Sequence, residues 1–290
     1  MTPIRDSITA GGYAAAWSLI KYLPEAVTSR SFGALSSALT LRQGKAVRQL
    51  QLNLEQVAPG VPLLNEAVAS YLRYWHEVFR LPRWKPERIR DGFVLEGVEI
   101  LDSYAKSGNG VVVVGGHLAN WDLAGAWAAL RYGSVVSVAE RLQPVQLFDQ
   151  FVAARRALGI DILGLGDPDV MRGLLQRLKA GRIVALLGDR DLSGGGIEID
   201  FFGKSTRVPG GPATLSVLAG VPLLGLQLWY DGSMLRGRIS EPIPVPRDGK
   251  RPEQVRALTQ ASMDFVAQGI ASHPVDWHMM QRIWPDVVAR

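Results

Sequence analysis

The sequence predicts an α/β fold: a central mixed, mostly parallel sheet with helices on both faces and a helical N-terminal segment. Two observations predict it. From residue 93 onward, short apolar runs that read as strands alternate with longer stretches that read as helices, and such alternation lays helices on both faces of a sheet. Residues 1–90 instead carry helical patterning throughout. No linker, repeat or low-complexity tract interrupts the 290 residues. The expectation is therefore a single domain, 1–290, with a helical part at 1–90 packed on an α/β core at 91–290.

In the helical part, residues 8–23 place Tyr13, Trp17, Ile20 and Leu23 near helical spacing, with Lys21 beside them, and Pro24 stops the helix. Two readings stay open: an interfacial helix laying aromatics among lipid headgroups, or a helix packed on the core. No stretch reaches the ~18 apolar residues of a membrane span. Residues 10–22 lack an A-x-A-type cleavage site, so no signal peptide is expected. Residues 41–57 read as a helix whose Arg42, Lys45 and Arg48 form a solvated face or touch lipid phosphates. Residues 64–79 read as a helix whose stripe of Tyr71, Tyr74, Trp75 and Phe79 fits the core better than an acyl-chain groove, with His76 structural. Residues 81–86 read as a loop carrying two prolines.

In the core part, strands are expected at 93–96, 111–114, 135–139, 161–163 and 183–187. The clearest is VVVV at 111–114, a β-branched run that reads as a buried strand. Helices are expected at 98–107, 123–131, 144–158 and 169–180; Gly108 and Gly181 end two of them. EIDFF at 198–202, closed by Gly203, reads as an edge strand or hairpin arm. A short helix at 212–218 follows. Residues 222–230 pair with 236–239 through the Asp231-Gly232 turn. A C-terminal helix at 253–273 leads into the segment 277–284.

Composition narrows the function. At 47% hydrophobic and 20% charged, the chain can bury a sizeable core. The absence of cysteine excludes disulfides, thiolate metal sites and a cysteine nucleophile. The four histidines, His76, His117, His273 and His278, show no metal-ligand spacing, so no metal is expected. A net charge of +5 favours an anionic partner: a membrane surface, a phospholipid headgroup or coenzyme A. No basic run interleaved with aromatics and no nucleic-acid motif is present, so nucleic acid is not expected as a partner.

The chemistry centres on VVVVGGHLANWD, residues 111–122. Catalytic groups in open α/β sheets gather at the carboxyl ends of strands, and His117 follows one directly. On a continuous helix the five residues to Asp122 advance about 500°, leaving the two side chains roughly 140° apart. They meet if His117 lies on the strand-to-helix turn and Asp122 in the first helical turn. A carboxylate would then fix the imidazole tautomer and leave the other nitrogen as a base. The plain alternative is a structural histidine near a helix start, with Asp122 on the helix dipole. Two further strands end in polar residues, Glu140-Arg141 and Asp189-Arg190-Asp191. With His117 these make three strand ends converging on one cleft, or else salt bridges capping the sheet. In residues 201–216, Lys204 and Arg207 precede Pro209-Gly210-Gly211-Pro212 at a helix start, which reads as an anion site or a rigid turn.

These residues carry a resemblance. GGHLANWDLAG resembles the His-x4-Asp/Glu block of the glycerolipid and lipid A acyltransferases, especially the lipid A late-acyltransferase branch and, within it, the actinobacterial phosphatidylinositol mannoside acyltransferases. FVAARRALG at 151–159 is similar to the family's Phe-to-Arg block, which makes Arg155 or Arg156 its arginine, with Arg155 favoured. The FFG…G–P–A segment and the terminal WHMMQRIW also match, with His278 and Arg282 taken as structural. The missing N-terminal spanning helix departs from the lipid A enzymes and fits the mannoside branch.

The resemblance implies transfer of a long-chain acyl group, palmitoyl, from acyl-CoA to a mannose hydroxyl of phosphatidylinositol mannosides, by a peripheral protein at the cytoplasmic face of the cell membrane. Acyl-CoA is the donor substrate, and no cofactor is expected. The partners are acyl-CoA, the glycolipid and an anionic membrane surface. His117 is the expected general base. Asp122 or a carboxylate of the 189–191 block orients it, and the resemblance favours Asp191. Glu140, Arg155, Asp189, Arg190 and Arg207 are expected to contact substrate, with Arg155 and Arg207 on phosphates. The rivals are a lipid A-type acyltransferase on another glycolipid, a non-catalytic lipid-binding protein, and a lipase or thioesterase. The last lacks a G-x-S-x-G elbow, since Gly232-Ser233 has no second glycine.

Overall fold

A computed structural model describes residues 22–141, 145–191, 194–246 and 248–289. Residues 8–21, which carry the expected interfacial or packed first helix, lie outside the described residues. The helical part contains α1 (Glu25–Arg42), α2 (Lys45–Val57), α3 (Leu64–Arg80), a 3-10 turn (Leu81–Arg83) and α4 (Pro86–Asp91). The expected helix at 41–57 is broken. Gln43 takes the left-handed conformation at φ 43°, its N–H closing on the Leu39 carbonyl, so α1 ends there and α2 starts after Gly44. α3 buries Ala67, Val68, Leu72, Tyr74 and Val78, of which Ala67, Tyr74 and Val78 share one face at helical spacing.

The core adds β1 (Phe93–Glu96), α5 (Val98–Ser107), β2 (Val111–Gly115), α6 (Trp121–Tyr132), β3 (Val135–Ala139), α7 (Val145–Ala157), β4 (Ile160–Gly164), α8 (Val170–Lys179) and β5 (Ile183–Leu187). A hairpin of β6 (Ile197–Phe201) and β7 (Lys204–Val208) follows, then α9 (Gly211–Ala219), β8 (Leu223–Asp231), β9 (Met234–Ile239) and α10 (Arg251–Ser272). Seven strands form one sheet in the order β1-β9-β8-β2-β5-β3-β4. The five from β8 to β4 are parallel; β9 pairs antiparallel with β8, and β1 runs parallel to β9. β2 lies at the centre with Val111 to Val114 all buried. Helices cover both faces: Gly125 of α6 lies against Ile160, and Gly173 of α8 against Leu163. Residues 160 and 163 of one strand point to opposite sides.

The segment after α10 returns to the centre. Leu118 bridges Trp277, the Ala119 N–H donates to the Asp276 carbonyl at 2.8 Å, and the His278 N–H donates to the His117 carbonyl at 2.8 Å. Asn53 of α2 donates to the Met279 and Gln281 carbonyls, both at 2.8 Å. The Trp284 indole donates to the Phe201 carbonyl at 2.9 Å. This tail thereby ties the N-terminal helices, the hairpin and the end of β2 together.

Candidate active site

β2 and β5 are neighbours in register, Gly115 opposite Leu187. Two residues beyond each partner stand His117 and Asp189, so the sheet itself brings them side by side. Gly116 permits the approach: a Cβ there would sit 3.0 Å from Asp189 Oδ2. His117 Nδ1 lies 2.6 Å from Asp189 Oδ1. The His117 backbone N–H donates to Asp189 Oδ2 at 2.8 Å, and the Trp277 indole N–H donates to the same oxygen at 3.0 Å. Burial alone would raise the Asp189 carboxyl. The charge of His117 and these hydrogen bonds outweigh it and hold Asp189 below its ordinary value. An ionised carboxylate only accepts, so Nδ1 carries the proton and Nε2 is left with the lone pair.

Asp122 does not orient His117, which corrects that expectation. By the first turn of α6 the chain has carried Asp122 toward α3 and α7. There it accepts from Arg155 Nε at 2.6 Å, from Arg155 Nη2 at 3.0 Å and from the Tyr74 hydroxyl at 2.9 Å. Burial works against the Arg155 cation, but Asp122 outweighs it and holds it above its ordinary range; burial, then Asp122, pushes the Tyr74 hydroxyl well up. Tyr74 stacks on Trp121 at 4.1 Å, and Trp121 meets the His117 ring edge-on at 5.3 Å. Asn120 caps α6, accepting from the Leu123 N–H at 2.9 Å. Asp122 thus fixes the helix start that presents Trp121.

The remaining expected residues divide. Asp191 does not take Nδ1, which Asp189 occupies; its carboxylate accepts from the Gly196 N–H at 2.8 Å and lines the cavity described next. Asp189 is fully buried beneath the imidazole, so its expected place against substrate is also corrected. Glu140 and Arg190 form an ion pair across the ends of β3 and β5, the salt-bridge alternative for those strand ends. Arg155 reaches the cavity wall while bound to Asp122. Arg207 does not: it lies exposed on β7, donating to the Gly196 carbonyl at 3.3 Å, outside the wall. The expected anion loop is, over residues 204–208, strand β7.

A cavity of about 500 Å³ opens beside the His117 ring. Its polar end holds His117, Glu140, Arg155, Arg190 and Asp191; beyond it the wall is mostly apolar, with Phe93, Leu101, Trp127, Leu174, Leu215 and Leu228. On α6, Trp121, Ala124, Gly125 and Ala128 face it with helical spacing. Among the described residues, no group of three or more His, Asp or Glu is placed to hold a metal, and no helix is long and apolar enough to cross a membrane.

Two members of the site were not foreseen, Tyr74 as a partner of Asp122 and Trp277 as a partner of Asp189. Trp277 is fully buried. Its only signal in the chain was the position of WHMMQRIW, since no local pattern ties an indole to a carboxylate 88 residues earlier. His278, beside it, was expected to be structural. Its Nε2 lies 2.9 Å from the Ser70 hydroxyl, which itself donates to Asp276 at 2.6 Å. Burial, then the nearby His117, pushes the His278 imidazole down to about 3.

A family model described as bacterial lipid A biosynthesis acyltransferase matches residues 7–285. A phosphatidylinositol mannoside acyltransferase of Mycolicibacterium smegmatis is 37% identical over 290 residues, covering 97% of this chain and 93% of its own length. One of Mycobacterium tuberculosis is 37% identical over 291 residues, covering 97% of this chain and 90% of its own length.

Proposed function

The chain belongs to the bacterial lipid A biosynthesis acyltransferase family and is thereby an acyltransferase; on that footing we propose that it moves a palmitoyl-type chain from acyl-CoA to a mannose hydroxyl of a phosphatidylinositol mannoside. The acceptor class follows the names of its 37%-identical relatives. The observation that carries the reading is the His117–Asp189 pair at the polar end of a mostly apolar cavity. The acyl chain lies along the apolar wall, and the thioester stops at the imidazole. Nε2 takes the proton of the sugar hydroxyl as its oxygen attacks the thioester carbonyl carbon. Asp189 stabilises the imidazolium that forms. The tetrahedral intermediate collapses, the carbon–sulfur bond breaks, and the imidazolium returns the proton to the departing thiolate. Ester and free coenzyme A thiol result, with no covalent enzyme intermediate, consistent with a chain without cysteine. Arg190 and Arg155 supply positive charge at the polar end, each already paired with a carboxylate. The net charge of +5 supports a peripheral place on the anionic inner face of the membrane.

The test is His117→Ala, assayed with palmitoyl-CoA and phosphatidylinositol mannoside. Loss of a general base lowers the rate by about 100- to 10,000-fold. Full retained activity in the folded variant would remove His117 from the mechanism.

A further inference from the structure

A second pocket opens where the end of α3 turns through the 3-10 segment into α4. It encloses about 440 Å³ and is lined by Arg80, Arg83, Trp84, Lys85, Glu87 and Arg88. Four of these six side chains are cations and one is a carboxylate. Glu25 brings a second carboxylate, which Arg88 holds by both oxygens, at 2.7 and 2.9 Å, and Arg80 approaches at 3.9 Å. Arg83 lies over the Tyr22 ring at 4.4 Å, and neither it nor Lys85 has a carboxylate partner among the described residues. The Trp84 ring packs under the Arg88 guanidinium at 3.9 Å, and its indole N–H is buried with no partner among the described residues. Pro82 and Pro86 stiffen the two turns. Cations held close together on a stiff loop repel one another until an anion sits between them. A phosphate offers the several acceptor oxygens that guanidinium, ammonium and indole N–H groups can all reach.

We propose that this pocket binds the phosphate of a membrane phospholipid headgroup. Trp75, in the wall of the catalytic cavity, stands five residues before Arg80 on α3, about 8 Å along the helix axis. A lipid held here lies against the helix that also walls the site of transfer. The choice of a lipid as the source rests on the membrane-acceptor reading; the recognition of phosphate does not.

The experiment measures binding without turnover. The full chain is sedimented with phosphatidylcholine vesicles with and without phosphatidylinositol, and free coenzyme A is titrated separately by calorimetry. The variant is Arg83→Gln with Lys85→Gln; the charge-matched control is Lys179→Gln with Arg182→Gln, exposed at the opposite end of the sheet. At about 1 kcal/mol per basic side chain near an anionic surface, the pocket variant loses about 30-fold in partition to phosphatidylinositol vesicles, and the control far less. Equal losses in both variants, or none in either, overturn the proposal. Unchanged vesicle binding with a loss of coenzyme A affinity overturns the lipid as the source. Full acyl transfer by His117→Ala beside the expected loss of vesicle binding by the pocket variant would overturn the catalytic reading and support this pocket, so the two readings fail separately.

Discussion

Asp189 accepts three hydrogen bonds while fully buried, and each one limits where the carboxylate, and hence the imidazole, can turn. Trp277 supplies the only one of the three that does not come from His117 itself. A hydrogen bond to a charged group contributes about 1.5–3 kcal/mol, so Trp277→Phe lowers kcat by about 10-fold or more while KM for acyl-CoA changes little. An effect on stability alone, with kcat unchanged in the folded fraction, would count against a positioning role. His278 makes a different prediction. Its folded-state value is about 3 against an ordinary 6.5, so below pH 6.5 the unfolded chain binds a proton that the folded chain refuses. The stability from keeping this ring neutral is complete above pH 6.5 and is lost as pH falls toward 3. Denaturant melts between pH 6 and 4 then show a slope that His278→Gln reduces by up to about 1.4 kcal/mol per pH unit.

The cavity owes its depth to one face of α6. After Trp121 that face carries Ala124, Gly125 and Ala128, whose small side chains leave room between helix and sheet. Ala128 stands seven residues beyond Trp121, about 10 Å along the axis. Ala128→Phe fills the far part, so activity with palmitoyl-CoA falls while activity with an eight- or ten-carbon donor is retained. Equal loss across chain lengths would place the acyl group elsewhere. Elements of this kind are legible in sequence because their signals are local. The valines of β2, the apolar run of β5 and the glycine after α5 each sit where the structure uses them. β7 was missed because KSTRV has no apolar run; only Thr206 and Val208 of its five residues are buried. The break between α1 and α2 turns on Gln43 in a left-handed conformation; the glycine that marks it, Gly44, stands one residue later and caps the start of α2. At the site, His117 was legible from its place at a strand end. Its partner was legible only as far as the 189–191 block, and the choice within it fell on Asp191, because the pairing with Asp189 is a fact of strand register.

At the scale of the whole molecule, the charge of +5 sits on a chain with a mostly apolar cavity, the proposed place of the acyl chain. If charge draws it to the membrane, association with anionic vesicles weakens steeply as salt rises to about 1 M, where the Debye length is about 3 Å. Binding indifferent to salt would assign the attachment to apolar contact instead. The tail that carries Trp277 has a further consequence. Its indole reaches back 88 residues to Asp189, and its strand-like bridge reaches the residue after His117. A ribosome has therefore finished most of the sheet well before the indole emerges. Until then the carboxylate lacks its outside anchor, so the His117–Asp189 pair of the proposed mechanism is completed only at the closing of one long loop.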